Sequence, residues 1–426
     1  MSSFSIALSG LTAASTDLSV TANNIANADT IGFKSSRAEF ADLYTQGAAD
    51  LNNSTTGEGV ELSTNSQQFT QGNVTTTSSN LDLAISGDGF FTLKDATNGT
   101  VYTRNGQFQA DANGNVVSPD GAALQVYPPL TTATGVTTGA FNTGTTQDLN
   151  LQTAQSAPLA TTGGTVILNL PANSAEPIDT PFSATDSASY NESTSTTVYD
   201  SLGESHAATF YFAATANPDV WNVYQTVDGN DVSANPTQTQ LTFNNAGGLV
   251  SATNNGGTTN NAAGNLNFAY APTDGAAPLA IVFNFKDTTA YGGAFGVTSI
   301  TQNGYATGQL STVAIDPTGI VSAVYTNGRS TQLGQLAMAN FPDQQGLKQL
   351  GSTDWSATFD SGDVVEGTAG SASFGNIQAG ALESSNVDLT TALVNMITAQ
   401  RAFDANAQVI TTANQESQTV IQMSGG

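Results

Sequence analysis

The sequence predicts an α+β multidomain protein in which N- and C-terminal helices form an inner, coiled-coil-like core domain. Two mainly antiparallel β domains complete it, the outer one inserted into the inner one. Three observations predict this. Apolar residues recur every seven positions at both chain ends, two-residue turn signals punctuate the middle at short intervals, and one long central stretch contains no Lys or Arg.

At the N-terminus Phe4, Leu11, Leu18 and Ile25 step by seven, with Leu8 and Ala22 on the adjoining row, so one apolar stripe runs along a helix. Ser2 or Ser3 caps its start, and the polar run from Asn27 to Gly32 ends it. At the C-terminus Leu389, Met396, Phe403 and Ile410 repeat the spacing, flanked by Leu393, Ala407 and Ile421, and Ser385 with Asp388 reads as a capping box. At 1.5 Å per residue such helices are about 35 to 50 Å long. Neither is strong alone. Gly10 costs about 1 kcal/mol relative to Ala, and Thr12, Thr16, Val20 and Thr21 add β-branched penalties without ion pairs to offset them. A marginal helix takes its order from a partner, either its counterpart in the same chain or a further copy. Location at the chain ends, where disorder before docking is easy, favours the further copy.

The middle reads as β-structure. Leu81, Leu83 and Ile85 alternate with Asp82, Ala84 and Ser86, and Asn105-Gly106, Asn113-Gly114 and Asp120-Gly121 follow at even spacing, the pattern of a short-stranded meander. Runs 166–170, 206–212, 221–227 and 280–285 read as strands between Gly, Asn, Pro and Thr turns, and Asn327-Gly328 joins 320–326 to the run after Arg329. No Lys or Arg lies between Arg104 and Lys286, and this stretch includes the loose segments 130–147 and 251–264. It reads as the inserted outer domain. The expected boundaries are 1–30 with 384–426 for the helical core, 31–75 with 362–383 for a linking segment, 76–146 with 304–361 for the inner β domain, and 147–303 for the outer one.

Composition excludes several function classes. Eight Lys and Arg against 34 Asp and Glu give a formal charge of −26, which rules out tracking a phosphate backbone, so no nucleic-acid partner is expected. Cysteine is absent, and with it disulfides, thiolate catalysis and thiolate metal sites. No apolar run approaches the roughly 20 residues that span a bilayer, and the N-terminus lacks a basic start with an apolar stretch behind it. The expectation is therefore no membrane insertion and no cleaved leader of the usual kind.

The search for chemistry is as brief. His206 is the single histidine and sits in a strand-like run without a nucleophile elbow, so it reads as a sheet-face or solvated side chain. The run Asp111 to Asn115 has Gly114 at the fourth place and Ala122 at the twelfth, unlike a calcium loop, and reads as a hairpin turn. Gly87-Asp88-Gly89 lacks the third glycine and the helix of a dinucleotide site. No catalytic, metal or cofactor residue is expected, and a mechanical role needs none. The Gly-, Thr- and Asn-rich composition alone also permits a secreted β-rich adhesin or glycan hydrolase.

The segment Ala22-Asn23-Asn24-Ile25-Ala26-Asn27-Ala28-Asp29-Thr30-Ile31-Gly32-Phe33-Lys34 resembles the N-terminal signature of the bacterial flagellar rod and hook proteins. Residues 81–91, followed by Tyr102-Thr103-Arg104-Asn105-Gly106, are similar to the next block of that family, and 380–389 with 395–401 resemble its C-terminal signature. The blocks 198–203, 333–335 and 339–341 look like those of hook-type members, whereas roughly 130–190 and 225–280 show no match. The resemblance implies a subunit of the flexible curved tube that passes motor torque from rod to filament. It further implies export through the flagellar type III apparatus and an extracellular place in the flagellum. The implied partners are further copies of the chain and the rod, hook-cap and hook–filament junction proteins; a distal rod subunit is the nearest alternative. The expected assembly seam is Phe4, Leu8, Leu11, Leu18 and Ile25 with Leu389, Leu393, Met396, Phe403 and Ile410. Asn23, Asn24, Asn27, Gly32 and Phe33 are expected to form the turn and link after the first helix.

Overall fold

The computed structural model describes residues 3–43, 57–131, 137–151, 155–231, 239–253, 260–261, 263–273, 275–371 and 373–424. Two compact units emerge, the first from Met1–Gln152, Thr312–Val324 and Ser330–Gly426, the second from Thr153–Ser311 and Tyr325–Arg329. The terminal helices and many strands in several sheets are present.

Helix α1 spans Ser3–Ala26 and helix α2 spans Leu389–Ser424, both in the first unit. The start of α2 corrects one sequence expectation. Asp388 is the cap: its Oδ1 accepts from the Thr390 and Thr391 N–H groups at 2.9 and 3.3 Å and its Oδ2 from the Thr391 hydroxyl at 2.9 Å. Ser385 turns its hydroxyl instead to the Val387 N–H. A carboxylate satisfies two orphan donors and meets the positive end of the helix dipole, which one hydroxyl does less well. Of the N-terminal cap candidates, Ser2 lies outside the described residues.

Beyond α1 the chain forms a two-stranded antiparallel ribbon, Ser36–Asp42 against Val60–Gln67, with no fully buried residue along it. The main sheet of this unit runs in the order Ile320–Tyr325, Ser330–Leu336, Ala123–Tyr127, Phe90–Asp95, Gly99–Thr103, Asp354–Ser356 and Lys348–Gly351. Its larger core gathers Leu83, Ile85, Phe91, Leu93, Leu124, Val126, Val321 and Leu336, and a smaller aromatic one joins Phe90, Tyr102, Phe341 and Trp355. Turn chemistry is as read at three places: Gly114, Gly121 and Gly328 take φ of +81°, +90° and +76° between consecutive paired strands. Asp111 Oδ1 accepts from the N–H groups of Asn113 and Asn115, so that loop is a turn. Asn105-Gly106 is not a tight hairpin. Its glycine lies against residue 83, whose N–H it accepts, and a Cβ there would overlap the Leu83 carbonyl.

In the second unit a seven-stranded sheet runs Glu192–Tyr199, Ser205–Ala214, Val220–Val227, Gln240–Phe243, Leu249–Thr253 and Asn260–Asn261, with Asn230–Asp231 on Val220–Val227. A five-stranded sheet carries Gly163–Pro171 at its centre. This strand pairs parallel with Leu279–Asn284 and Thr289–Tyr291 and antiparallel with Gly296–Gln302, so the unit is not uniformly antiparallel. The chain leaves Pro171 to build the other sheet, returns to this one at Asn265–Tyr270 and turns back as Leu279–Asn284, the long connection that parallel neighbours require. Both sheets contribute to one core, where Phe210 meets Phe283 and Phe285 edge-on at 4.9 and 5.7 Å between ring centres. The loose segments of the sequence lie partly outside the described residues, at 132–136, 254–259 and 262.

One carboxyl in the first unit opposes its own environment. Burial pushes Asp354 up to about 6, against a hydrogen bond from Thr103 that lowers it, with Asp120 and Asp95 raising it further. The folded chain thus holds this proton more tightly than the unfolded chain, whose carboxyl titrates near 3.8. Stability contributed here is present below about pH 4 and lost as pH rises through about 6. Asp354→Asn is expected to raise the urea midpoint at about pH 7.5 and leave it nearly unchanged at about pH 4, read as the difference from wild type at each pH.

Candidate assembly interface

The link after α1 is built from amides. Asn24 clamps residue 36 from both sides, its Nδ2 donating to the Ser36 carbonyl at 2.7 Å and its Oδ1 accepting from the Ser36 N–H at 2.9 Å. Asn27 donates to the Asn23 carbonyl at 2.9 Å and accepts from the Thr30 hydroxyl, which closes the end of the helix. Gly32 follows at φ +72°, donating its N–H to the Glu383 carbonyl, and a Cβ there would lie 2.6 Å from the Asn105 nitrogen. Only glycine meets both demands. Phe33 is buried beside it. Asn386, placed just before α2, mirrors Asn24: it accepts from the Ser35 N–H at 2.7 Å and donates to the Gln68 carbonyl at 2.6 Å.

Beneath these amides lies a charged cluster. The fully buried Glu383 takes Lys34 Nζ at 2.6 Å and the Gly72 N–H at 2.7 Å on Oε1, and Arg104 at 3.3 Å on Oε2. Lys34 also donates to the Thr70 carbonyl at 2.9 Å, and the Arg104 guanidinium lies 5.4 Å from the Phe90 ring centre. Burial lowers the Lys34 pKa below the ordinary lysine value, and the attraction of Glu383 offsets this only in part. One carboxylate therefore joins the end of α1, the end of the ribbon, the β sheet and the approach to α2.

The two helices pack antiparallel. Gly10 faces Asn406, whose side-chain oxygen would lie 2.9 Å from a Cβ there, while Thr21 and Asn24 share a cleft with Asp388, Thr391, Ala392 and Asn395. Among the described residues, the buried positions of α1 are Ala7, Ala14 and Thr21, and those of α2 are Ala392 and Ala399. Small residues at seven-residue spacing let the backbones approach closely.

The row of large apolar residues expected as a seam lies differently. Phe4 is 40% exposed, Leu8 46%, Leu389 48% and Leu393 41%. Leu11, Leu18, Ile25, Met396, Phe403 and Ile410 are half-buried. Exposed Ile6, Val394, Ile397 and Val409 add to these side chains, and Phe40, Leu43 and Leu62 do so from the ribbon. A groove of about 480 Å³ between α1 and the ribbon is lined by Leu8, Thr12, Thr16, Leu43, Val60 and Leu62 among others.

Sequence reasoning passed over the residues that organise the link. Lys34, Arg104, Glu383 and Asn386 stand within the matched blocks without being singled out. A usable signal was present: two of only eight cations sit beside glycines and aromatics, where an unpaired charge would be untenable.

Four family profiles match the chain. They are the Flagella basal body rod protein over residues 4–34, the Flagellar hook protein FlgE/F/G D1 domain over 84–185, the Flagellar basal body protein FlaE D2 domain over 169–305, and the Flagellar basal body rod FlgEFG protein C-terminal over 378–423. The Flagellar hook protein FlgE of Escherichia coli (strain K12) is 40% identical over 421 residues, covering 99% of both chains. That of Salmonella typhimurium is 41% identical over 424 residues, 99% of this chain and 100% of its own. The Borreliella burgdorferi protein of the same name is 30% identical over 449 residues, 98% of each. The crystal structure of Helicobacter pylori flagellar hook protein FlgE2 shares the fold at a TM-score of 0.52 and 13% identity, over 73% of this chain and 100% of that one.

The charged cluster makes an ordered prediction. Glu383→Ala strands two buried cations and is expected to lower the stability of the first unit by about 3 to 5 kcal/mol, the usual effect of breaking a buried pair from one side. Lys34→Ala leaves Glu383 with Arg104 and the Gly72 N–H, so its loss is smaller. Urea unfolding of both variants checks the order.

Proposed function

The chain belongs to the flagellar hook protein family, and from that membership we propose how its two ends build a polymer. It is a structural subunit of the bacterial flagellar hook, where it polymerises. The terminal helices form the core domain, 1–30 with 384–426, and the large apolar side chains of α1 and α2 meet those of neighbouring copies. What carries this reading is the contrast between rows. The α1–α2 contact within one chain buries Ala7, Ala14, Thr21, Ala392 and Ala399, whereas Phe4, Leu8, Leu389 and Leu393 remain exposed. Contacts of this kind are head-to-tail and do not close, so they generate an open helical tube. Residues 31–75 with 362–383 link this core to an inner β domain, 76–146 with 304–361, and 147–303 form the outer one.

The same reading gives the rest of the role. Subunits leave the cell through the flagellar type III apparatus, unfolded. Weak helices and the absence of cysteine suit that route. They assemble beneath a cap, between rod and junction proteins, outside the cell, and the tube transmits torque while bending. Bending requires contacts that exchange. The outward face of the five-stranded sheet supplies a surface without fixed ion pairs: Thr165, Ile167, Ala269, Ala280, Val282, Ser299 and Thr301 point away from the core, with no charged side chain among them.

Leu393→Asp is expected to leave the melting of the isolated subunit unchanged and to slow elongation on hook or rod seeds at least tenfold. The estimate follows from about 1.5 to 3 kcal/mol for burying a leucine. Elongation at the wild-type rate overturns the seam. Phe403→Ala, read as hook length and motility, tests its half-buried part, and removal of residues 1–30 abolishes assembly while an adhesin or hydrolase would keep its activity. A straight, rigid polymer would indicate a rod subunit. For the outer domains, cryo-EM of a curved hook is expected to show different contacts on its inner and outer arcs, and identical contacts on both would rule out sliding.

A further inference from the structure

His206, the single histidine, is neither solvated nor idle. Its side chain is only 9% exposed and stands between two carboxylates from different turns. Nδ1 lies 2.6 Å from Asp228 Oδ2, and Nε2 lies 3.8 Å from Asp200 Oδ2, while the Tyr270 ring covers it at 5.4 Å between centres. Asp200 comes from the turn after strand Glu192–Tyr199, Asp228 from the turn after Val220–Val227, and Tyr270 from the end of Asn265–Tyr270. Among the described residues, these are the groups that face the imidazole.

Each carboxylate organises backbone. Asp200, fully buried, accepts through Oδ1 from the N–H groups of Leu202 and Glu204 at 2.9 and 2.8 Å and so shapes the 200–204 turn. Asp228 holds the left-handed φ of +51° while accepting from the Ala207 N–H at 2.8 Å. The 200–204 turn in turn braces the segments by which the chain enters and leaves the second unit. Gly203, at φ +86°, sits so close that a Cβ would lie 2.8 Å from Pro158 and 3.2 Å from the Thr307 nitrogen. Immediately before it, Tyr199 exchanges two hydrogen bonds with Thr161, both at 2.8 Å.

We propose that His206 is a proton-operated clasp: as imidazolium it bridges the Asp200 and Asp228 turns and stiffens the end of the second unit where residues 155–161 and 302–308 lie. A neutral ring offers one donor to two carboxylates, so only the imidazolium engages both turns at once. Burial alone would lower the His206 pKa, but the hydrogen bond to Asp228 and the charges of both carboxylates outweigh it and raise it above the ordinary value. The Asp228 carboxyl, raised by burial, is brought below its usual range by His206 and the Ala207 N–H, so it remains charged in mild acid. The sign follows. A group whose folded pKa is raised contributes stability fully below its unfolded value, near 6.5, and loses it as pH rises through the folded value. The clasp is shut in mild acid and opens toward alkaline pH.

Because the full chain holds one histidine, its imidazole C–H signals titrate without ambiguity in NMR. The expected midpoint lies above 6.5 in wild type and moves down in Asp228→Asn. Over the same pH range the Leu202, Glu204 and Ala207 amides are expected to lose protection by at least about threefold after correction for base-catalysed exchange. In His206→Gln they exchange fast at every pH; should that variant fail to fold, the wild-type titration and Asp228→Asn still decide. A wild-type midpoint at or below 6.5, or amide protection that ignores the titration, overturns the proposal.

Discussion

The Glu383 carboxylate, held between Lys34 and Arg104 in the interior, is the constraint on which the arrangement of the chain ends depends. Its partners lie 349 and 279 residues away in sequence, so the cluster exists only when the distant parts of the chain have met. Ions of this kind are poor sources of net stability, since each loses several kcal/mol of hydration on burial. Their contribution is to uniqueness: one carboxylate with two oxygens admits few arrangements of two cations and a backbone N–H. By fixing residue 34 beside residue 383, the cluster fixes where α1 stops relative to where α2 starts. The antiparallel pairing and the meeting of Gly10 with Asn406 follow from that anchor.

The pairing then decides which side chains are left over. Two helices anchored this closely need small residues where they touch, and Ala7, Gly10 and Ala14 on α1 face a partner whose buried positions are also alanines. A contact made of alanines removes little apolar area from water, so it stabilises weakly at about 25 cal/mol per Å². The larger payload lies on the exposed rows. A subunit built this way holds its ends in a defined geometry while leaving those rows exposed, and the proposed association with further copies would cover them.

How much of this was legible from sequence depends on what a periodicity detects. The seven-residue spacing located both helices, because Phe4 to Ile25 and Leu389 to Ile410 carry large apolar groups that dominate any hydrophobic count. It did not distinguish the row that packs within the chain, because alanine and threonine at 7, 14 and 21 give almost no signal although they are the buried ones. Turn dipeptides were legible where glycine is needed for its left-handed φ, as at Gly114, Gly121 and Gly328. Asn105-Gly106 looks the same in sequence, yet its glycine answers to a neighbouring backbone that no local pattern encodes. Long-range partnerships were illegible for the same reason: Lys34, Arg104 and Glu383 become a cluster, and His206 a bridge, only once the fold brings them together. The parallel pairing of Gly163–Pro171 likewise follows from a crossover more than a hundred residues long.

Charge determines where one copy can touch another. Of eight cations, Lys34 and Arg104 are buried, Arg37 pairs with Glu39, and Arg329 stacks on Tyr305 at 4.7 Å. Lys94, Lys286, Lys348 and Arg401, exposed like Arg37 and Arg329, complete the eight against a net charge of −26. Screening reaches only about 8 Å at physiological ionic strength, so copies meeting through acidic patches would repel at contact distance. Close association is favoured on surfaces that lack charge, and the apolar rows of α1 and α2 and the neutral face of the five-stranded sheet are such surfaces among the described residues. The first is apolar enough to hold; the second, made of Ala, Val, Ser and Thr without ion pairs, has nothing to enforce a single register. The proposed polymer would then be firm where its helices pack and yielding where its sheets meet.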